Sequence, residues 1–384
     1  MNSGKYVFRQ LLGCFNRYEF EKCVRRYRGD YRTREFNCWN QFAQLFFGQL
    51  TARNGLRDIC TCLKAHSDKL YHLGIRQNVS HSALSRANEK RDWQIFAEFG
   101  TYMIGLVRPL YANAKVSVDV GNEIFVLDST TISLSITLWS WARGKYSRGA
   151  VKVHTMMDLR GNIPVFVHIT DGRCHDVNAL DEITICREAI YVMDKAYVDF
   201  GRLYRIEQAE AFFVVRAKEG LDYRVVISSP VDAATGLLAD QKIVLCGPKS
   251  KRLYPENLRR IEYYVLEKDI TLTFLTNNFE ADALQIAQIY RNRWKIELFF
   301  KWIKHNLQIK TIWGHSQNAV CIHIWVAVCT YLLVAWLKAQ LKTTLSIYEM
   351  MQVLSISAFD KTPINQLLTK PLSNQNVKEL PKLF

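Results

Sequence analysis

The sequence contains no C-x-x-C pair, although it has 10 cysteines. The two closest cysteines, Cys60 and Cys62, are separated by one residue, a spacing that zinc sites seldom use. Residues 1–20 contain no uninterrupted apolar run next to a small-residue cleavage site, so the sequence predicts no secretory leader. We therefore expect reduced thiols, mostly buried as small apolar side chains, in a reducing cytoplasm.

Long apolar runs are also scarce. Only the segment 319–337 approaches the length of a membrane span, and His323 interrupts it. We interpret it as a buried core helix and expect no membrane partner, with a membrane-spanning helix as the alternative. The chain has 384 residues, of which 49% are hydrophobic and 23% charged, which excludes a disordered, collagen-like or simple coiled-coil protein.

Acidic residues are too few to balance the basic ones. The chain has 51 Lys and Arg against 36 Asp and Glu, a formal net charge of +15. Residues 1–100 hold 17 basic and 9 acidic residues, so about a quarter of the chain carries over half of the excess. This charge predicts a polyanionic partner and directs attention to the N-terminal region.

Much of the N-terminal excess lies in one basic stretch that includes Tyr27 and Tyr31. Because few acidic residues offset it, the stretch predicts contacts with phosphates, although a solvated helix face would have a similar composition. The candidate DNA contacts here are Arg25, Arg26 and Arg28.

The segment 77–99 is a second candidate for DNA binding. Ser80 or Ser82 could cap a helix there, and the segment resembles the recognition helix of a helix-turn-helix, although short polar helices are common. The candidate base readers on this helix are Arg86, Asn88, Lys90 and Arg91.

From residue 123 the pattern changes to short runs rich in β-branched and aromatic residues. Gly161 and Asn162 form a tight turn between two of them, and a helical stretch covers 200–209. Strands that are first paired by hairpins and then linked through helices predict an α/β fold with a mixed sheet flanked by helices. The predicted strands are 124–134, 151–159, 163–171, 189–197 and 211–218.

Two helical regions and one β-rich region surround these strands. Residues 39–63 have helical apolar spacing, and residues 219–277 alternate without a helical period. Helices resume at 280 and continue to about 342, with a break near Trp313 and Gly314.

Two carboxylates follow apolar strand runs at similar positions. Asp128 follows IFVL and Asp194 follows AIYVM. Either one alone is explained by a turn, a helix cap or a salt bridge. If the strands are neighbours the two carboxylates come together, and like charges that close raise one pKa unless a divalent cation neutralises both.

The predicted helix IAQIYRNRWKIELFFKWIKHNL places polar groups along one narrow stripe. An apolar stripe that includes Ile296, Phe299 and Ile303 lies opposite, so ordinary amphipathicity explains part of the pattern. It does not explain a carboxylate flanked by a phenol, a guanidinium and ammonium groups, which suits a metal ligand beside groups that bind phosphate. The stripe contains Tyr290, Arg293, Glu297 and Lys304, with Lys301 at its edge.

The spacing Tyr290-x2-Arg293-x3-Glu297-x6-Lys304 resembles the Y-(2)-R-(3)-E-(6)-K signature of bacterial insertion-sequence transposases of the DDE type. Asp128 and Asp194 resemble the first two acidic motifs of that family, the second as D-x-x-Y with Tyr197. The resemblance covers about 120–340.

This resemblance implies a ribonuclease-H-like mixed sheet flanked by helices, with a β-rich insertion and a helical N-terminal DNA-binding domain. The expected divisions are a helical DNA-binding domain over 1–119, the first part of the catalytic core over 120–218, the β-rich insertion over 219–277, catalytic-core helices over 278–345 and a C-terminal region over 346–384.

The resemblance also implies a site and its partners. Asp128, Asp194 and Glu297 would be the catalytic residues and bind two Mg²⁺ ions, with Mn²⁺ as a substitute. Tyr290, Arg293, Lys301 and Lys304 would hold the double-stranded DNA of the transposon ends, bound by a dimer. Trp294 is a candidate for stacking on a flipped base, with core packing as the alternative.

The expected function is a DNA transposase that binds terminal inverted repeats and carries out Mg²⁺-dependent cleavage and strand transfer, in a cut-and-paste pathway near the nucleoid. Another two-metal nuclease of the same fold, or an inactive DNA-binding repressor derived from a transposase, is the alternative. The pair His175-Asp176 resembles a common H-D pair of related transposases, and its role is left open between a turn and catalysis.

Overall fold

The computed structural model describes residues 4–114, 116, 118, 120–134, 141–142, 149–306 and 312–369. An N-terminal group of helices precedes the sheet. Its members are α1 (Val7–Leu12), α2 (Arg17–Arg26), α3 (Cys38–Leu50), α4 (Leu56–Ala65), α5 (Leu70–Leu73), α6 (His81–Lys90) and α7 (Gln94–Val107).

The strands of the described chain form one mixed sheet of nine strands in the order β3-β2-β1-β4-β5-β9-β8-β7-β6. β1 runs antiparallel to β2 and parallel to β4, and β4 runs parallel to β5. The bounds are β1 (Ile124–Leu134), β2 (Gly149–Asp158), β3 (Ile163–Asp171), β4 (Ile190–Met193), β5 (Phe212–Arg216), β6 (Tyr223–Ser229), β7 (Leu237–Leu245), β8 (Leu258–Val265) and β9 (Ile270–Thr276).

The remaining helices lie between and after the strands. They are α8 (Phe200–Gln208), α9 (Pro248–Leu253), α10 (Ala283–Arg291), α11 (Trp294–Asn306), α12 (Gln317–Leu341), α13 (Ile347–Ile356) and α14 (Ile364–Thr369). One face of the sheet packs against α10, α11, α12 and the N-terminal helices, and the other packs against α8 and α9. The prediction of a large mixed sheet flanked by helices is confirmed.

The tight turn between β2 and β3 follows the prediction. Gly161 and Asn162 have φ values of 74° and 56°, in the left-handed region, within the four-residue connection 159–162 between the paired residues Asp158 and Ile163. The side chain of Tyr111 lies against Gly161, where a Cβ atom would come within 2.3 Å of its ring.

The β-rich segment extends the core sheet. β9 pairs with β5 through Val214–Thr276 and Val215–Leu275, and β8, β7 and β6 continue outward from it. Its alternating pattern predicted the strands but could not show which strand they would join.

Two helices predicted as continuous are interrupted. The helical region over 39–63 breaks between α3 and α4, where Thr51 caps α3 and Ala52 adopts a φ of 52°. The helix over 286–307 breaks between Arg291 and Trp294, because the N–H groups of Lys295 and Ile296 bond three residues back, to Asn292 and Arg293. A helical pattern records spacing and does not reveal such a single tightened turn.

The apolar segment 319–337 lies within α12. Among the described residues, α12 is the one helix long and apolar enough to cross a membrane, and 94% of its most apolar stretch is buried inside the protein. The prediction of a buried core helix is confirmed. α12 packs mainly against the N-terminal helices. These helices, α12 and one face of the sheet therefore share one apolar core.

The two ends of the described chain also pack together. The N–H groups of Val7 and Phe8 donate to the carbonyls of Asp360 and Ala358, at 2.8 and 3.1 Å. The segment after α13 therefore accepts the first two N–H groups of α1, which have no partner within their own helix.

The contact between α7 and α12 is close at Gly100. A Cβ atom at this position would lie 2.6 Å from the Trp325 ring, whereas one at Gly105, in the same helix, would meet nothing within 4 Å. We expect Gly100→Ala to lower the free energy of unfolding by about 1–3 kcal/mol through overpacking. Gly105→Ala serves as the control and should be neutral or stabilise the protein by up to about 1 kcal/mol, because glycine weakens a helix interior. Urea unfolding of both variants checks this, and equal effects would contradict the close packing.

Candidate active site

The register of three parallel strands brings Asp128, Asp194 and Arg216 together. Leu127 pairs with Met193, and Met193 pairs with Val215. The residues that follow this paired row are Asp128 on β1, Asp194 just after β4 and Arg216 on β5. Because neighbouring strands lie about 4.8 Å apart and side chains alternate between faces, these three side chains lie side by side on the face that α11 covers.

The carboxylate of Asp128 is fixed at both oxygens. Its Oδ1 accepts the N–H of Ser129 at 2.8 Å, and its Oδ2 accepts from Nη1 of Arg293 at 2.8 Å. Burial, which leaves the side chain 17% exposed, raises the pKa of Asp128 to about 6. The Arg293 guanidinium and the Ser129 N–H oppose this rise, whereas the carboxylates of Asp194 and Glu297 add to it.

Asp194 follows β4 and caps a short 3₁₀ turn, Lys195–Tyr197. Its Oδ1 accepts the N–H of Ala196 at 2.7 Å, which caps that turn. The turn buries Tyr197, whose pKa is raised well above its usual range by burial and by the carboxylates of Asp128, Asp176 and Asp194. The D-x-x-Y spacing therefore places a protonated phenol among the acidic groups.

Arg293 connects Asp128 with Glu297. Its guanidinium donates to Asp128 and, on its other side, to Glu297 four residues further along. Glu297 itself is 55% exposed. Within the described residues, no three His, Cys, Asp or Glu side chains converge closely enough to hold a metal ion. The charges of Asp194 and Glu297 both act on Asp128, and Arg293 lies between Asp128 and Glu297.

Of the other residues on the predicted stripe, only Lys301 is exposed. Tyr290 is 9% exposed, and its ring lies 4.6 Å from that of Phe274. Nζ of Lys304 donates to the carbonyl of Thr131 at 2.9 Å. Trp294 is about half exposed, which disagrees with core packing as its role.

A basic cavity of about 300 Å³ is lined by Arg216 and by Lys195, the residue after Asp194. Its lining includes the cationic residues Lys195, Arg216, Lys218 and Arg260, with Glu219 as the acidic residue. Arg260 bonds to Glu262 and Gln241, and Lys218 donates to the Val198 carbonyl. Two of the cavity's cations, Arg260 and Lys218, are therefore held by hydrogen bonds. The other two, Lys195 and Arg216, form no ion pair within the described part of the chain.

Sequence reasoning missed Arg216. Its signal was present, since FFVVR ends in a charge just as IFVLD and AIYVMD do. It also left Asp176 without a role. Asp176 contacts Ser129 and Lys152 on the opposite face of the sheet, whereas His175 is exposed.

The predicted N-terminal DNA contacts fall into two groups. Arg25, Arg26 and Arg28 are exposed, and Arg26 pairs with Glu98. On α6, which Ser80 caps, Arg86 and Lys90 are exposed as well. These residues present charge to solvent, as a DNA contact requires.

Arg91 and Asn88 are differently placed. Arg91 donates to the Phe36 carbonyl and to Gln41 Oε1, and burial lowers its pKa. Asn88 is buried, where its Oδ1 accepts from Gln41 at 2.7 Å. In this conformation both side chains bond to Gln41 of α3, and their role as base readers stays a prediction.

Several proteins named as transposases resemble this chain. The y4zB protein of Sinorhizobium fredii, named as a transposase, is 32% identical over 65% of this chain and 69% of its own length. A transposase named for insertion sequence element IS5377, from Geobacillus stearothermophilus, is 29% identical over 56% of this chain and 57% of its own length. A transposase named for insertion sequence element IS4SA, from Synechocystis sp., is 27% identical over 67% of this chain and 71% of its own length.

A solved structure, the piggyBac transposase synaptic complex with hairpin DNA, covers 95% of this chain and 80% of its own chain, with a TM-score of 0.49 and 9% identity. A likeness at this score does not bear on the fold or activity of this chain.

Two family models match the sequence. Residues 3–76 match a domain of unknown function, DUF4372. Residues 120–333, more than half of the chain, match the transposase DDE domain, which spans Asp128, Asp194 and Glu297. The chain therefore belongs to the family of transposases that carry the DDE domain.

Proposed function

We propose that the protein cleaves and joins insertion-sequence ends in a cut-and-paste reaction, with Asp128, Asp194 and Glu297 as its catalytic residues. The observation that carries the proposal is the strand register, which sets Asp128 beside Asp194 under the helix that bears Glu297. Membership of the Y-(2)-R-(3)-E-(6)-K group is part of the proposal and rests on the spacing of Tyr290, Arg293, Glu297 and Lys304.

We assign the core to the ribonuclease-H-like class. The strand order β3-β2-β1-β4-β5, with β1 to β3 antiparallel and β1, β4 and β5 parallel, supports this assignment. In open sheets with parallel strands, ligands bind beyond the carboxyl ends of those strands. Asp128, Asp194 and Arg216 lie at that edge.

The residues fit Mg²⁺ by their chemistry. Carboxylate oxygens are the ligands that Mg²⁺ prefers, and the charges of Asp194 and Glu297 make the ionised form of Asp128 less stable. Two divalent cations, when bound, would neutralise these carboxylates and stabilise charge at a phosphate during in-line displacement. Arg293 neutralises part of the same charge by pairing with Asp128 and Glu297, and the exposed Glu297 could exchange this guanidinium for a metal ion.

The chain's own residues bind and orient the DNA in this proposal. Arg216 and Lys195 offer positive charge next to the carboxylates for the phosphate backbone. Lys301 extends this charge along α11, and Trp294 presents an exposed indole on which a base can stack. Arg25, Arg26, Arg28, Arg86 and Lys90 form the exposed charges that we assign to the inverted repeats. A dimer on DNA and a cytoplasmic location belong to the proposal.

A DNA cleavage assay tests the catalytic role of the three carboxylates. We expect Asp128→Asn, Asp194→Asn and Glu297→Gln each to slow Mg²⁺-dependent cleavage of DNA carrying the ends that flank the gene by about a thousandfold or more, because each removes several kcal/mol of charge stabilisation. DNA affinity should stay within a few-fold of the parent. Glu182→Gln, an exposed carboxylate, is the control.

The alternatives give other results in this assay. A general nuclease would cut DNA with and without these ends equally and join none. A repressor would cut nothing, and Asp128→Asn would then alter binding alone.

The raised pKa of Asp128 makes a separate prediction about stability. Because the folded protein holds the Asp128 proton more tightly than the unfolded chain, parental stability falls as pH rises from about 4 to about 6. Asp128→Asn removes this cost. We expect it to raise the free energy of unfolding by on the order of 2 kcal/mol at pH 7.5 without metal, and by nearly nothing at pH 4.

Asp181→Asn is the control of opposite sign. Hydrogen bonding to Arg202 lowers the pKa of Asp181, so its carboxylate contributes stability at neutral pH that is lost on acidification. This variant should be less stable than the parent at pH 7.5. Urea titrations at several pH values check both variants. An Asp128→Asn protein less stable than the parent at pH 7.5 would contradict a raised pKa of Asp128.

The basic cavity can be tested by salt dependence. We expect the double variant Lys195→Gln and Arg216→Gln to weaken duplex binding and to reduce the slope of log K against log salt by about 1–2, since each phosphate contact contributes about 0.9. Arg224→Gln, an exposed charge on β6 outside the cavity, should leave the slope nearly unchanged. Fluorescence anisotropy between 50 and 200 mM salt, roughly the range where such contacts matter, measures this. A double variant with the parental slope would exclude the cavity from the DNA path.

A further inference from the structure

A second polar cluster lies on the other face of the sheet, behind Asp128. Side chains alternate along a strand, so Ser129 points away from Asp128. Across β2, Ser129 pairs with His154 and Thr131 pairs with Lys152, which places Lys152 and His154 on the same face as Ser129. The turn after β3 brings Asp176 to them. We call Ser129, Lys152, His154 and Asp176 the backing cluster.

Asp176 is the centre of the backing cluster. Its Oδ1 accepts from Oγ of Ser129 at 2.6 Å and from Nζ of Lys152 at 3.0 Å. Lys152 is 13% exposed and also donates to the Cys174 carbonyl at 2.7 Å. Burial alone would raise the pKa of Asp176. The bonds from Ser129 and Lys152 outweigh burial and lower this pKa, so Asp176 remains ionised. An ammonium this deeply placed needs such a partner.

His154 adds no charge to this arrangement. It is fully buried, and burial lowers its pKa to about 4. Its Nε2 bonds with Oγ1 of Thr170 at 2.9 Å, and its Nδ1 lies 3.9 Å from Asp176 Oδ1. The charges of the backing cluster are therefore those of Lys152 and Asp176.

Ser129 connects the backing cluster with the candidate site. Its hydroxyl is held by Asp176 on one face, and its backbone N–H donates to Oδ1 of Asp128. Arg293, which fixes the other oxygen of Asp128, must move if cations displace it. Within the described residues, the hydrogen bond from the Ser129 N–H is then the one that still holds the Asp128 carboxylate.

We propose that Asp176 is a positioning residue: through Ser129 and Lys152 it holds β1 so that the Asp128 carboxylate keeps the orientation in which it binds a divalent cation. This inference rests on the proposed function, and it adds a residue that acts from the opposite face of the sheet. Groups that orient a metal ligand typically change metal affinity or activity 10- to 100-fold when they are removed.

Mn²⁺ binding to the full chain without DNA, followed by electron paramagnetic resonance, tests the proposal apart from catalysis. We expect Asp176→Ala and Ser129→Ala to weaken Mn²⁺ binding about tenfold and to raise the Mg²⁺ concentration for half-maximal cleavage similarly, with DNA affinity unchanged. Asp176→Asn keeps an acceptor for Ser129 and should recover most of the affinity.

The control is Asp181→Asn. Asp181 ends the same turn as Asp176, and it pairs with Arg202 and Arg205 instead. It should bind Mn²⁺ as the parent does. Circular dichroism identifies any variant that fails to fold, and Asp176→Asn, the smallest change, then carries the comparison with Ser129→Ala.

Two results would overturn the inference. One is an Asp176→Ala protein with parental Mn²⁺ affinity and parental Mg²⁺ dependence. The other is a loss of stability in Asp176→Ala and Ser129→Ala without any change in Mn²⁺ affinity, which would show a structural role alone. A parent that neither binds Mn²⁺ nor cleaves DNA would instead refute the proposed function.

Discussion

The candidate site depends on one constraint, the parallel register of β1, β4 and β5. Hydrogen bonding between these strands sets Asp128, Asp194 and Arg216 side by side. Two carboxylates at this separation repel each other, and burial adds to the cost of their charge. Arg293 and the N–H of Ser129 offset that cost at Asp128, so the site is built around a charge conflict that the fold imposes and that a cation would relieve.

Much of the sheet could be predicted from the sequence because its strands are short apolar runs with clear ends. The runs over 124–134 and 163–171 coincide with β1 and β3. The signals for Asp128 and Asp194 were equally local, since each is the first charge after such a run. Arg216 obeys the same rule, but a cation after a strand does not by itself suggest a site.

The rest required three-dimensional contacts. Nothing local shows that the β-rich segment joins β5, that Arg91 turns inward to Phe36, or that Asp176 meets Lys152 across β2 and β3. The helical pattern around Tyr290 and Glu297 predicted one continuous helix and missed the tightened turn at Asn292 between them. Sequence patterns record periodicity, whereas these features depend on which distant segments meet.

The pairing of Val7 and Phe8 with residues near Asp360 has a consequence for biosynthesis. The first two N–H groups of α1 cannot reach these carbonyls until the residues near Asp360 have been synthesised, and α12 is synthesised after the N-terminal helices that cover its apolar surface. The contact between these segments therefore forms only after both have been synthesised, and a shorter nascent chain leaves part of this apolar core uncovered.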